Sequence, residues 1–171
     1  MLAKNDAKVS ITLPSDREIC FTRVFDWPRE YIFDAWTDPE QVRQWWGCAE
    51  GQVTVCEIDL RVGGAWRCAM RMPDGLEHTF KGTYREIDSP ARLVYTECYD
   101  MEFCGRPEWL TTISLEDLGG KTKFTNVLLH KTREARDGHL QSGMERGMEH
   151  GFDRLDSVIA TRNRDRSGVE V

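Results

Sequence analysis

The sequence predicts an α+β domain: a curled antiparallel sheet wrapped around one long C-terminal helix, in a chain of 171 residues. Three observations carry this. Between Thr132 and about Thr161, the residues Leu140, Met144, Met148, Phe152, Leu155 and Ile159 recur at three- and four-residue steps, which makes one apolar stripe on a helix. Most of what precedes that helix is short alternating segments separated by tight turns, a pattern of antiparallel strands. Beside the stripe, Gly143, Gly147 and Gly151 run at a strict four-residue step. Each glycine weakens a helix interior by about 0.5–1 kcal/mol relative to alanine, so three together indicate a face kept low. Close packing against the sheet is the plainer reason; room for a bound molecule is the other.

The elements follow in order. Residues 1–16 are polar and end in Pro14-Ser15-Asp16, and are expected to form a loose arm. Residues 17–25 read as a strand with Ile19, Phe21 and Arg23 on one face. Pro28 suits the first turn of a helix over 28–36, where Tyr31, Ile32, Ala35 and Trp36 make the apolar stripe. Asp38 is a suitable N-cap for a second short helix, with Pro39 and Glu40 in its first turn and a stop at Gly47. Strands are expected over 53–58, 65–72, 77–87, 92–99, 109–116 and 122–129. Turns at Gly63-Gly64, Pro73-Asp74-Gly75, Ser89-Pro90 and Gly119-Gly120 separate several of them. Thr132 can cap the final helix, whose first turns Asp137-Gly138 can break. Residues 162–171 read as a polar tail, leaving one domain over 17–161.

Composition narrows the function. A net charge of −6 and a pI near 5.3 give no general attraction to nucleic acid or to an anionic membrane. No apolar run is long enough for a membrane span, and residues 1–14 hold no signal-peptide core, so a cytoplasmic protein is expected. The six cysteines form no CxxC pair and are expected to be reduced; the four histidines form no HExxH. No metal and no cofactor is expected. Neither a Ser-His-Asp order, a nucleophile elbow nor a phosphate loop occurs, so no catalytic residue is assigned.

Several runs resemble a known family. They are Thr22-Arg23-Val24-Phe25-Asp26-Trp27-Pro28-Arg29-Glu30, Ile32-Phe33-Asp34-Ala35-Trp36-Thr37-Asp38-Pro39-Glu40 and Gln44-Trp45-Trp46-Gly47. With them stand the stretch from Glu57 to Arg67, Met72-Pro73-Asp74-Gly75, Gly82-Thr83-Tyr84-Arg85-Glu86-Ile87 and Ala91-Arg92-Leu93-Val94-Tyr95-Thr96. The closing matches are Gly143-Met144-Glu145-Arg146-Gly147 and Phe152-Asp153-Arg154-Leu155. In order and spacing these resemble the START-like (SRPBCC) superfamily, in the branch related to the C-terminal domain of the heat-shock-protein-90 ATPase activator. The resemblance implies a helix-grip (START/Bet v-like) fold, with seven strands gripping the C-terminal helix around a cavity. It also implies binding of lipids or hydrophobic small molecules, and in some relatives polyketide cyclisation or dehydration. The activator's separate chaperone-contacting domain has no room here, so chaperone regulation is the less expected role. Two positions depart from the pattern: Cys48 where relatives often have proline, and Met148 where they often have tryptophan.

The candidate ligand-contacting residues are Trp45, Trp46, Trp66, Met70, Tyr84, Tyr99, Met101, Trp109, Asn126, Met144, Met148 and Phe152. The tryptophans, tyrosines and methionines suit an apolar pocket, and core packing is the plain alternative for any one of them. Trp45 and Trp46 lie about 100° apart on a helix, so one anchors the core and the other faces a pocket mouth or solvent. Asn126 shares a strand face with Phe124; inward, its amide is a polar anchor, and otherwise it sits at a wet edge. Asp34, Glu57 and Glu97 are possible acids for work with a histidine, although nothing in the sequence joins them, and His130 reads as a surface residue. Expected partners are thus a hydrophobic small molecule or lipid, with a homodimer possible through sheet edges or exposed tryptophans. A cyclase- or hydrolase-like enzyme is the alternative.

Overall fold

The computed structural model describes residues 8–168. Eight antiparallel strands form one sheet: β1 (Ser10–Thr12), β2 (Glu18–Phe25), β3 (Gln52–Ile58), β4 (Ala65–Arg71), β5 (Glu77–Asp88), β6 (Arg92–Tyr99), β7 (Glu108–Asp117) and β8 (Thr122–His130). Their order is β1-β2-β8-β7-β6-β5-β4-β3. From β3 to β8 each strand pairs with the next in sequence, as short turns dictate. Register shifts between Val53 and Val55 and between Tyr84 and Glu86 bend the sheet, since a bulge deepens local twist.

The expected strand count rises by one. The loose arm expected over residues 1–16 instead contains β1, with Ile11 opposite Phe21. Its physical reason is the open ladder of β2, which Val9 and Ile11 cover while packing on Ile19 and Phe21. Residues 1–7 lie outside the described part.

Two short helices, α1 (Arg29–Thr37) and α2 (Pro39–Trp45), link β2 to β3. The Asp38 side chain accepts from Glu40 N at 3.1 Å, and Pro39 opens α2, so the capping chemistry is met as expected. The single C-terminal helix is corrected to two: α3 (Arg133–Gln141) and α4 (Met144–Ser167). Thr132 caps α3 by accepting from Ala135 N at 3.1 Å. Asp137-Gly138 does not interrupt α3; the break falls at Gly143, whose φ of +82° is left-handed backbone that glycine adopts without strain. At its other end α4 outruns the expected tail and reaches Ser167. Arg162 pairs there with Asp38 at 3.4 Å, and Arg164 and Arg166 suit the C-terminal dipole.

The stripe does what its period predicts. Phe152, Leu155 and Ile159 are buried in the main core with Phe25, Phe124 and Trp45. Phe25, Phe124 and Phe152 meet edge to face, with ring centroids 5.1 to 5.9 Å apart. Leu140 and Met144 pack on a second cluster of Ile19, Phe21, Trp109 and Leu128, and Met148 touches both clusters. Arg23, inward on β2, is buried; it pairs with Asp153 of α4 at 3.0 Å and lies over the Phe25 ring. No helix among the described residues is long and apolar enough to cross a membrane.

Candidate functional site

Sheet and helix do not meet everywhere. Between the concave face and the first half of α4 lies a cavity of about 420 Å³. That volume is in the range of small-molecule sites. The helix side is Met144, Gly147, Met148, Gly151 and Phe152; α1 and α2 give Trp36 and Trp45, and Trp46 follows α2. The sheet gives Trp66, Met70, Phe80, Tyr84, Tyr95, Glu97, Trp109, Asn126 and Leu128. Ser142, Gly143 and Gly147 are exposed lining residues and mark its open side.

The glycines answer the question their spacing raised. A Cβ on Gly147 would meet nothing within 4 Å, and one on Gly151 would only touch Trp45 at 4.0 Å. Neither is pressed against backbone; Gly151 is buried beside the hollow, Gly147 is exposed at its open side, and Gly143 is the helix break. The close-packing reading is therefore replaced by open space. Close approach is instead the role of Gly82 on β5: a Cβ there would sit 1.7 Å from the Thr96 carbonyl oxygen and 2.6 Å from Trp66 Nε1. That clearance lets Trp66 Nε1 donate to Thr96 O at 3.2 Å and fixes its indole at the cavity wall.

Ten of the named candidates, all but Tyr99 and Met101, stand on this wall. Tyr99 lies past the end of the cavity, stacked on Phe80 with centroids 4.8 Å apart and hydrogen-bonded to His78. Met101 lies in the turn after β6. Trp45 and Trp46 divide, the first closing α2 and the second following it in extended backbone. Trp45 is core, donating to Ala35 O at 2.7 Å, and Trp46 is half-buried against Phe80. Cys48 and Met148, the two departures from the family pattern, both line the cavity.

The polar groups on the wall are few and specific. Asn126 is 3% exposed and faces inward, and its Oδ1 has no hydrogen-bond partner among the described residues. Burial raises the Tyr84 and Tyr95 phenols above their ordinary range, so both stay neutral. Trp36 Nε1 donates to the Tyr95 hydroxyl at 3.2 Å. Glu97 accepts from Thr111 Oγ1 at 2.8 Å and Trp109 Nε1 at 3.1 Å, both on Oε2. Burial still lifts its carboxyl above the usual range, against those two bonds. The Trp109 ring also packs against His139, with ring centroids 4.4 Å apart. His130 is corrected from surface to interior at 3% exposure, and its Nε2 is 2.9 Å from His139 Nδ1.

Of the polar site residues, Glu97 is named by the sequence only as an acid with no histidine joined to it, and His139 is not named at all. The alternation of β6 does place Glu97 on the face of Tyr95, and that was the available signal. His139 has no sequence signal, because α3 reaches the cavity only through the turn at Lys131-Thr132. Among the described residues no lysine or arginine lines the cavity, and no three histidine, cysteine or acidic side chains are grouped to hold a metal ion.

The family model described as Activator of Hsp90 ATPase homolog 1-like protein matches residues 26–160. Among solved structures, a Rhodobacter sphaeroides protein is 27% identical with a TM-score of 0.84, over 90% of this chain and 99% of that one. A Rhizobium leguminosarum protein is 28% identical with a TM-score of 0.64, over 90% and 97%. The AHSA1-like protein from Aeromonas hydrophila shares the fold at 20% identity and a TM-score of 0.67, over 85% and 94%. No curated protein matches. The helix gripped by a curved antiparallel sheet is the START-like arrangement, and with the match running from just after β2 into α4 the chain belongs to the Activator of Hsp90 ATPase homolog 1-like protein family.

Proposed function

We propose that this protein binds a largely apolar, uncharged small molecule in the cavity between sheet and α4. The observation that carries the reading is the cavity beside Gly147 and Gly151, lined by five tryptophans and two methionines of α4. Helix glycines cost stability, and an interior that could close would gain from side chains in their place. Aromatic and thioether groups make a wall that adapts to flat or irregular apolar shapes. Charge narrows the class. With no cation on the described wall, a buried carboxylate or phosphate would have no partner, which disfavours a lipid whose anionic head goes inside.

Thermal-shift and native mass spectrometry screening with neutral aromatic and polycyclic compounds tests this. Bound species of one-to-one stoichiometry and a raised melting temperature are expected. Saturating compounds that leave both unchanged would reject it. The alternative is an acid–base enzyme on an aromatic or polyketide-like substrate, favoured by one observation: Glu97 and His139 flank the same indole at the cavity wall. Turnover lost in both Glu97→Gln and His139→Phe, with binding retained, would select it over simple carriage.

A further inference from the structure

The polar corner of the cavity holds a hydrogen-bond chain whose direction is set at its far end. The Arg17 carbonyl oxygen can only accept. It lies 3.2 Å from His130 Nδ1, so that nitrogen carries the ring proton. Burial, helped by the charge of Arg136, holds His130 below the ordinary histidine range, which leaves it neutral near pH 7 with a bare Nε2. His139 Nδ1, 2.9 Å from that lone pair, must then donate. A neutral imidazole has one N–H, and His139 uses it on His130. Burial and the neighbouring His130 keep His139 neutral as well, with its pKa lowered to about 4. Its Nε2 is thereby left as a lone-pair acceptor with no partner among the described residues, on a ring that lines the cavity and packs tilted against Trp109.

We propose that His139 Nε2 anchors the ligand by accepting a hydrogen bond from a hydroxyl or N–H group, so that the ligand class is a neutral, flat aromatic donor of the phenol type. This rests on the reading of the cavity as a small-molecule site. A phenol meets the wall on each count: its ring suits the tryptophans, its one proton suits Nε2, and it brings no charge to a wall without cations. His130 and the Arg17 carbonyl are positioning groups that fix which nitrogen of His139 is bare.

The test compares 2-naphthol with 2-methylnaphthalene, which have nearly the same shape and differ by the donor. For the wild-type protein, titration is expected to show 2-naphthol binding about tenfold more tightly, the worth of one net hydrogen bond. In His139→Phe the two should bind alike, with 2-methylnaphthalene changed less than about twofold. A measurement on the unaltered chain stands beside this. Nitrogen-15 NMR should show His139 protonated at Nδ1 and bare at Nε2, with Nε2 shifting when 2-naphthol is added. If 2-methylnaphthalene binds and 2-naphthol binds no better, or if the opposite tautomer is found, the anchor is overturned while the cavity reading stands. If neither compound binds, both are overturned.

Discussion

Asn126 faces the interior of the sheet with an amide oxygen that finds no partner among the described residues. A desolvated, unpaired amide costs about 1–3 kcal/mol, and leucine has nearly the same size and shape. Asn126→Leu is therefore expected to raise stability by about 1–2 kcal/mol in urea unfolding, while weakening any ligand that uses the amide. His139 gives a pH signature. Its folded pKa is lowered from 6.5 to about 4, so the unfolded chain takes up that proton first. The stability linked to its neutral form is complete above about pH 6.5 and is lost as pH falls towards 4. Unfolding free energies across that window should fall less in His139→Phe than in the wild type. At this scale sequence reading reached the wall residues that sit on strong periodicities: Trp45, Trp46, Trp66, Asn126, Phe152. It missed the Glu97–Trp109–His139 group, because three elements distant in sequence meet there only through strand register and a turn. Tyr99 lies off the cavity wall for a related reason: alternation gives the face of a strand but not how far along it the cavity extends.

The C-terminal helix pair shows what one residue type means in two settings. Gly143 holds a left-handed φ of +82°, whereas Gly147 and Gly151 are ordinary helix positions beside open space. Gly143→Ala is expected to lose about 1–2 kcal/mol to backbone strain. Gly147→Ala should gain about 0.5–1 kcal/mol, since its new methyl meets nothing and helix propensity improves. Opposite signs in paired thermal unfolding curves check this; two gains or two losses would refute it. The four-residue glycine step was legible as a low face but not as a hinge followed by a hollow. Positive φ is a property of one position, and a period over several cannot isolate it. Capping chemistry was the better guide, for Asp38 and Thr132 start their helices as their side chains dictate. The short strand β1 escaped notice because a three-residue edge element has no periodicity of its own; its pairing is supplied by the open ladder of β2.

For the molecule as a whole, the order of strands and helices was enough to set the architecture, since tight turns leave antiparallel neighbours and the final helix must bury its stripe somewhere. The void was not given by that order. Its size depends on bulges that bend the sheet, on Gly82 letting Trp66 sit close, and on α4 presenting glycine where it passes the sheet. The main core of Phe25, Phe124, Phe152, Leu155 and Ile159 holds the fold independently, so emptying or filling the cavity is expected to change binding more than architecture. Five of the six tryptophans line the cavity, and Trp27 alone does not, its Nε1 donating to Asp156 Oδ1 at 2.6 Å. Indole N–H signals followed by proton–nitrogen NMR during titration with 2-methylnaphthalene are thus the most direct test. The signals of Trp36, Trp45, Trp46, Trp66 and Trp109 should move together and saturate at one equivalent, with Trp27 unmoved; no movement, or movement of Trp27 alone, would contradict a ligand-holding cavity.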